Sequence, residues 1–332
     1  MTVVSIVQDY NIRTAVVESI RLLGGIKSFI QPEDKVVIKP NLVFGLPPFT
    51  GFTTDPPIIQ AIVEMCQSVG PVDLTIAEGS GGIDTKLAYR ISGYTELAEK
   101  YSMKLVDLNK SPTTNVRVPG GLLFKELSVP RVILDCDVLI NVPKLKLYRK
   151  VPGRSEWASL AVKNLVGVLP GKGEYSHEKP PGFSVPLSSE FLNTEGKYFH
   201  PDYKHWWSPR GEKKRIHENL SQGLADVNMV IKPSLNVIDA ILVSDDINMS
   251  NTTGMEPIEL NTILASQDPL ALDCIAAKIG GLDPFNIPYL KHAIERELGE
   301  SEYNKIQIHG TPLDEIINTW ETELAVRHPK SS

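Results

Sequence analysis

Cysteine is scarce in this chain and is never clustered. The three cysteines, Cys66, Cys136 and Cys274, lie far apart, and no CxxC pair is present. Zinc knuckles and iron–sulfur clusters need several closely spaced cysteines, so we expect neither of them here. Each cysteine lies in an apolar run, which is typical of a buried, reduced thiol. The cysteine usage therefore favours a reducing compartment, and we expect a cytoplasmic protein.

Long apolar runs and an excess of positive charge are lacking as well. No stretch approaches the ~18–20 apolar residues of a membrane helix, and we expect no signal peptide and no membrane partner. The net charge of −6 at pH 7 argues against general nucleic-acid binding. With 332 residues and 42% hydrophobic content, the chain is long and apolar enough for one large domain or two smaller ones.

The order of apolar segments predicts an α/β protein. Buried strand patterns such as "KVVIKPNLV" alternate with helical patterns in residues 1–150, which we interpret as a Rossmann-like parallel sheet. Residues 151–215 form an irregular basic and aromatic insert that we expect to line or cover the cleft. The alternating pattern returns in residues 216–325, which would complete the fold before a tail at 326–332.

Positive charge is concentrated in one segment of this acidic chain. Residues 131–220 contain 15 Lys and Arg against 10 Asp and Glu, together with four of the seven histidines. An acidic protein with one basic, aromatic segment is expected to collect an anionic ligand there. The alternative is a solvated loop whose charges have no ligand.

Two predicted strands end in polar side chains. Lys39 and Asn41 interrupt the apolar strand "VVIKPNLV", and Glu78 ends the strand "VDLTIAE". The carboxyl ends of parallel strands face the crevice in which α/β proteins bind ligands. We therefore expect Lys39 and Asn41 to bind a substrate, and Glu78 to be a tentative metal ligand.

A glycine-rich turn, "GSGGID", follows the second of these strands. Backbone N–H groups of such a turn can approach an anion, so Gly79 and Gly81 are candidate substrate-binding residues. The turn does not match the dinucleotide-binding pattern GxGxxG, because Asp84 stands where the last glycine is required.

Two lysines alternate with leucines in "NVPKLKLYRK", and we predict that "DVLINVPKLK" is one strand. If the segment is extended, Lys144 and Lys146 project from the same face, because side chains alternate along a strand. We expect both lysines to contact an anionic substrate.

The segment "LAVKNLVGVLPGKGEYSH" combines lysines, an asparagine, glycines and a histidine. It is one residue short of the Walker pattern and lacks its Ser or Thr, so a nucleoside triphosphatase is disfavoured. Lys163 and Asn164 lie in an apolar run, where a lysine needs a partner or a function. We take Lys163, Asn164 and His177 as candidate catalytic residues.

Two aspartates in the last portion of the chain have different explanations. Asp239 lies inside the apolar strand "SLNVIDAILV", where a carboxylate needs a cation, a metal or a lysine, so it is a tentative metal ligand. Asp268 precedes Pro269 at the start of "PLALDCIAAKIGG", which predicts a helix N-cap.

These motifs together resemble the family known as domain of unknown function 362 (DUF362). The resemblance runs from about residue 35 to residue 295, and "VVIKPNLV", "LTIAEGSGG", "VLINVPKLK", "AVKNLVGVLPGKGEYSH", "LNVIDAI" and "DPLALD" occur in the order found in the family. Relatives tend to have a histidine near the position of Tyr148, and some carry cysteine-rich iron–sulfur segments, whereas this chain has neither. The resemblance implies no established reaction, but it implies that the candidate residues form one site.

The sequence therefore favours an enzyme that acts on a small carboxylate or phosphorylated metabolite. Lys163 would be a base or nucleophile, because burial lowers the pKa of a lysine, and His177 would transfer protons. Glu78 and Asp239 would bind a divalent metal or orient Lys163. Two alternatives stay open, namely a non-catalytic carrier of an anionic cofactor or metal, and a docking loop for a macromolecule at residues 205–215.

Overall fold

The computed structural model describes residues 1–42, 46–70, 72–81, 83–148, 157–171, 174–176, 206–208, 212–245 and 257–327. Most of the predicted insert at 151–215, including the candidate catalytic residue His177, lies outside the described residues.

The strands account for the apolar runs of the sequence. In chain order they are β1 (Thr2–Gln8), β2 (Lys35–Lys39), β3 (Asp73–Glu78), β4 (Lys104–Asp107), β5 (Thr113–Arg117), β6 (Glu126–Pro130), β7 (Val138–Asn141), β8 (Lys144–Tyr148), β9 (Trp157–Ser159), β10 (Glu174–Ser176), β11 (Trp206–Ser208), β12 (Leu235–Asp245), β13 (Ile258–Ser266) and β14 (Ile306–Gly310).

The helices follow the amphipathic segments between the strands. In chain order they are α1 (Ile12–Arg21), α2 (Pro56–Gln67), α3 (Thr85–Ile91), α4 (Tyr94–Tyr101), α5 (Arg131–Leu134), α6 (Ala161–Asn164), α7 (Glu212–Glu218), α8 (Leu220–Val230), α9 (Pro269–Ile279), α10 (Pro288–Glu295) and α11 (Leu313–Arg327). Asp268 accepts hydrogen bonds from the N–H groups of Leu270 and Ala271, which confirms the predicted N-cap of α9.

A large central sheet confirms the predicted α/β class. Its strands run in the order β14-β1-β13-β12-β7-β2-β3-β4, and β8 pairs with β12 and with β9. The neighbours from β12 to β4 are parallel, whereas β13 is antiparallel to both β1 and β12. Strands from residues 1–150 and from residues 216–325 share this sheet, and the predicted boundaries between the portions stay a prediction.

Helices cover both faces of the sheet. On one face, Val36 and Ile38 of β2 pack with buried side chains of α1 and α2. On the other face, Val37 packs with β5, β6 and α8, and β1, β8 and β13 pack with α9 and α10. A sheet that is buried on both faces explains why its strands read as continuous apolar runs.

A break between β7 and β8 determines the position of Lys144 and Lys146. The apolar pattern of residues 137–146 predicts one strand. The structure instead has two strands, separated by Val142 and Pro143, because proline cannot donate a ladder hydrogen bond. Strand β12 is long enough to pair first with β7 and then with β8. Strand β8 therefore lies beyond the carboxyl end of β7.

No helix among the described ranges is sufficiently long and apolar to cross a membrane.

Candidate functional site

A buried ion pair lies at the carboxyl ends of β2 and β3. Nζ of Lys39 is 2.9 Å from Oε2 of Glu78, and both side chains are almost completely buried. Lys39 also donates to the backbone oxygen of Pro40 and to Oδ1 of Asn164. Burial lowers the pKa of Lys39, whereas the charge of Glu78 opposes that shift. With three acceptors around its ammonium group, Lys39 holds neighbouring elements together.

Two glycines allow the chain to pass close to this ion pair. A Cβ atom at Gly167 would lie 2.7 Å from Nζ of Lys39 and would also meet the carboxylate of Glu78. A Cβ atom at Gly79 would lie 2.7 Å from the backbone oxygen of Gly167. The two glycines are therefore required by close approach of the backbone. The N–H of Gly79 donates to the adjacent Glu78 at 2.8 Å.

A chain of asparagine side chains crosses the end of the sheet. Asn236 donates to the backbone oxygens of Ser266 and Gln267, so its own Oδ1 must face the other way. That oxygen accepts from Asn141 at 2.9 Å, and Asn141 accepts from Asn164 at 2.8 Å.

The same chain continues to a lysine. Oδ1 of Asn164 accepts from Nδ2 of Asn41 at 2.8 Å, and Oδ1 of Asn41 accepts from Nζ of Lys146 at 2.7 Å. Because each amide donates to one neighbour and accepts from the next, the backbone oxygens at the far end fix the orientation of all four amides.

Lys146 is a buried lysine with few polar contacts at this site. Its side chain is 3% exposed, and its Nζ lies 5.7 Å from the ring centroid of Phe52. Among the described residues it makes the hydrogen bond to Asn41 and no ion pair. Burial and the nearby charges of Lys163 and Lys144 lower the pKa of Lys146 to about 7.

A second buried ion pair lies beside Lys146. Nζ of Lys144 is 2.8 Å from Oδ1 of Asp239, and the other carboxylate oxygen accepts from the N–H of Asp55. Burial and the charge of Asp239 raise the pKa of Asp55 to about 6, and Lys144 opposes this shift. The site therefore contains a carboxyl group and an amine that both change protonation near neutral pH.

The short helix α6 carries Lys163 and Asn164. Its first two N–H groups, those of Ala161 and Val162, donate to the buried carboxylate of Asp273 in α9 at 2.7 and 2.9 Å. Lys163 is half-buried and donates to Oγ of Ser159 at 2.8 Å, and burial lowers its pKa to about 8. Asp273 therefore positions the helix that places both candidate residues.

A fifth lysine reaches the site from α7. Nζ of Lys213 donates to the backbone oxygen of Gly79 at 2.6 Å and to Oδ1 of Asn109 at 3.1 Å. The same Oδ1 accepts from the N–H of Gly171 at 2.8 Å. Burial lowers the pKa of Lys213 to about 7. The basic segment that was weighed as a docking loop thus contributes a side chain to the glycine-rich turn.

No group of three or more His, Cys, Asp or Glu side chains that could hold a metal ion occurs among the described residues. The tentative metal ligands Glu78 and Asp239 are each paired with a lysine. Their assignment to a metal stays a prediction.

Comparison with known proteins identifies the family. The family model for "Domain of unknown function (DUF362)" matches residues 36–278, which include all the strand ends described above. The chain belongs to the DUF362 family. The resemblance found in the motifs is therefore confirmed.

A curated protein and a solved structure are also similar to this DUF362 chain. The thylakoid-associated protein sll1697 of Synechocystis sp. is 25% identical over 277 residues, which are 83% of this chain and 72% of that protein. The lactate racemase apoprotein of Thermoanaerobacterium thermosaccharolyticum has a TM-score of 0.39 and 13% identity. That alignment covers 81% of this chain and 55% of the racemase chain, so the chain spans about half of its length. The cytoplasmic location expected from the sequence stays a prediction.

The structure brings most of the predicted site residues together. Hydrogen bonds and ion pairs connect the side chains of Lys39, Glu78, Asn41, Asn164 and Lys146. The Lys144–Asp239 pair adjoins this group, because Lys144 and Lys146 belong to the same strand, β8. The charges of Lys144 and Lys163 therefore lower the pKa of Lys146. The roles assigned to these residues, and to Gly79, Gly81 and His177, stay predictions.

Several polar residues of the site were missed. Asn141 and Asn236 complete the amide chain, Asp55 adjoins Asp239, and Lys213 and Asn109 hold the glycine-rich turn. Asn141 stands in the quoted motif "NVPKLK" and Asn236 in "LNVID", where a polar amide at the end or start of an apolar strand was the available signal. Nothing in the spacing of Lys213 indicated a contact with a turn more than a hundred residues earlier.

Proposed function

We propose that this protein is an enzyme that binds a small anionic metabolite, carrying a carboxylate or a phosphate group, at Lys146. The observation that carries the proposal is the state of Lys146, a buried amine that has one amide partner and no ion pair among the described residues. A buried lysine without a counter-ion is stabilised by an anionic ligand, which restores the charged form.

A neighbouring hydroxyl supports the same location. Ser244 of β12 is the register partner of Lys146 of β8, so the two side chains project from the same face of the sheet. Oγ of Ser244 is buried and has no hydrogen-bond partner among the described residues. Buried polar atoms without a partner are rare in proteins, and a ligand oxygen would satisfy this one.

The other candidate residues divide into supporting and reacting groups. Lys39 and Asn41 hold Asn164 and Lys146 in place through the contacts described above. Lys163, whose pKa is near 8, is a candidate proton acceptor. Asn164 orients the side chains of Asn41 and Asn141 through its hydrogen bonds. His177 is retained as a further candidate for proton transfer.

Catalysis is favoured over simple binding by the groups that titrate near neutral pH. Asp55 has a pKa of about 6 and Lys146 a pKa of about 7, and such groups can both give and take protons at the pH of a cell. A carrier needs a fixed charge more than it needs a group that is half protonated. Turnover of a bound metabolite distinguishes the two functions.

The test is calorimetric titration of the full chain with inorganic phosphate and with oxalate at low salt. We expect wild type to bind at least one of the two anions, and Lys146→Met to bind about tenfold more weakly or worse, because a charge-assisted hydrogen bond is lost. Lys27→Met, which removes an exposed lysine, should bind like wild type. Equal affinities of wild type and Lys146→Met, or no binding by wild type, would contradict the proposal.

A further inference from the structure

Lys146 is held in the orientation that a nucleophilic amine requires. It projects from β8, while its neighbours Leu145 and Leu147 pack in the hydrophobic core on the opposite face. This packing fixes the strand, and the hydrogen bond to Asn41 fixes the end of the side chain. A reactive group on a rigid strand is positioned more accurately than one on a loop.

The amide chain determines which part of the amine is available. Asn41 presents its Oδ1, and not its amide N–H, to Lys146, because the orientation of all four amides is fixed from Ser266 and Gln267. An acceptor oxygen takes one N–H of the amine. The lone pair of the neutral amine must therefore point away from Asn41.

The charges around Lys146 favour the neutral amine and an anionic reactant. Lys163, Lys144 and Lys39 disfavour its ammonium form, and the carboxylate of Glu78, already paired with Lys39, acts in the opposite sense. A lysine next to other cations in a desolvated site is nucleophilic near neutral pH. The same cations attract a carboxylate.

We propose that Lys146 forms an imine with the carbonyl carbon of a small oxo acid. This inference rests on the proposed function, since it names the substrate class of the same site. An amine nucleophile needs an electrophilic carbonyl, and the positive charge of the neighbouring lysines favours a negatively charged reactant. A molecule in which a carbonyl group adjoins a carboxylate supplies both.

The reaction is balanced without any further reactant. The lone pair of Nζ forms a bond to the carbonyl carbon, the C=O π bond opens, and the proton released by the nitrogen is taken up by that oxygen. The resulting hydroxyl group then takes up the remaining proton of the nitrogen and leaves as water, while the lone pair of the nitrogen forms the C=N bond. The hydroxyl of Ser244, which projects from the same face as Lys146, is available to hydrogen-bond the departing oxygen.

The test is reductive trapping with pyruvate as the probe. Wild-type protein is incubated with pyruvate and sodium borohydride, digested, and analysed by peptide mass spectrometry. We expect one reduced adduct per chain on Lys146, formed by wild type and by Lys27→Met, and none with lactate, which lacks the carbonyl. Absence of the adduct, or labelling spread over exposed lysines, would overturn the inference.

Lys146→Met should form no adduct, and a second variant keeps the test informative if Lys146→Met does not fold. Asn41→Asp removes the N–H that Asn164 accepts and places a carboxylate at the oxygen 2.7 Å from Nζ, where it should raise the pKa of Lys146, by about 1–3 units, and slow trapping at neutral pH. Trapping should recover at higher pH in this variant, whereas a merely structural defect would not recover. An unchanged pH profile would overturn the role of Lys146.

Phosphate and oxalate binding separates the two proposals. If wild type binds these anions but forms no pyruvate adduct, the imine is wrong and the anion site stands. If it neither binds anions nor forms the adduct, both proposals are wrong.

Discussion

Lys146 and Ser244 face each other across the parallel pair of β8 and β12, at the end of the central sheet. Ser244 is 1% exposed and its hydroxyl has no partner among the described residues, and among the same residues the amine of Lys146 donates to Asn41 alone. Proteins seldom bury two polar groups side by side with so few partners. The pair is the structural basis of the proposed ligand site.

Removal of the Ser244 hydroxyl should weaken ligand binding without lowering the stability of the protein. Ser244→Ala is expected to keep the free energy of unfolding of wild type or to raise it by up to about 1 kcal/mol, because an unpartnered buried hydroxyl is lost. Its affinity for oxalate should fall. Chemical denaturation and calorimetry measure the two effects.

Ser19 provides the matched control for that variant. It is also buried, but its hydroxyl donates to the backbone oxygen of Val16 at 2.9 Å. Ser19→Ala should therefore lower the free energy of unfolding by about 1 kcal/mol and leave oxalate binding unchanged. A loss of stability in Ser244→Ala as large as in Ser19→Ala would show that the hydroxyl of Ser244 has a partner.

The amide chain predicts a large effect at Asn164. Asn164→Ala would remove the partners of Asn41 and Asn141 and one acceptor of Lys39, all of them buried. We expect a loss of about 3 kcal/mol in the free energy of unfolding, measured by urea denaturation. The control Asn219→Ala, at an exposed position, should change it by less than about 0.5 kcal/mol. Equal effects would contradict the role of the chain.

The close approach at Gly167 gives a steric prediction. In Gly167→Ala, the new methyl group would collide with Lys39 and Glu78, so we expect a loss of about 3 kcal/mol from the disturbed ion pair. Gly281→Ala measures backbone strain alone, because φ is +69° and nothing lies near its Cβ position, and should cost about 1 kcal/mol. Thermal or urea unfolding measures the free energy of unfolding of both variants. A smaller loss of stability in Gly167→Ala than in Gly281→Ala would be evidence against the close approach of Gly167 to Lys39 and Glu78.

The lowered pKa of Lys146 has a consequence for stability as a function of pH. The pKa is about 7 in the folded protein and about 10.4 in the unfolded chain, so the unfolded chain binds more protons between these values. The free energy of unfolding should therefore rise from pH 7 to pH 9. In Lys146→Met that rise should be smaller by about 1–2 kcal/mol, because Lys163 and Lys213 still contribute to it.

Urea denaturation at pH 7, 8 and 9 measures this dependence. Lys27→Met is the control, because it removes a lysine that is exposed in the folded protein, and it should show the same rise as wild type. Identical slopes for wild type and Lys146→Met would indicate that Lys146 has an ordinary pKa in the folded protein.

The elements that the sequence predicted well are those with strong local patterns. Strands β2 and β3 and helix α9 follow from continuous apolar runs or from an Asp-Pro start, and these signals are local. The helical spacing of residues 215–231 predicts one helix, but the segment contains the end of one helix and another that begins at Leu220 after Asn219. Helical spacing continues through such a break, so periodicity could not reveal it.

The site could be predicted in part, for a physical reason. Lysines and carboxylates in apolar runs are costly to bury, so Lys146, Lys163 and Asp239 were conspicuous in the sequence. Amides such as Asn141 and Asn236 cost less to bury and gave a weaker signal. The partners of each group also lie far along the chain, since Asn141 and Asn236 are 95 residues apart, and only the fold brings them together.

The most direct test of the account is the titration of Lys146 itself. Protein labelled with carbon-13 and nitrogen-15 in lysine can be followed by NMR from pH 5 to pH 11, with the Lys146 signal assigned by its absence in Lys146→Met. We expect a midpoint at about 7 and a shift to higher pH when oxalate is bound. A midpoint near the ordinary lysine value of about 10.4, unchanged by oxalate, would contradict it.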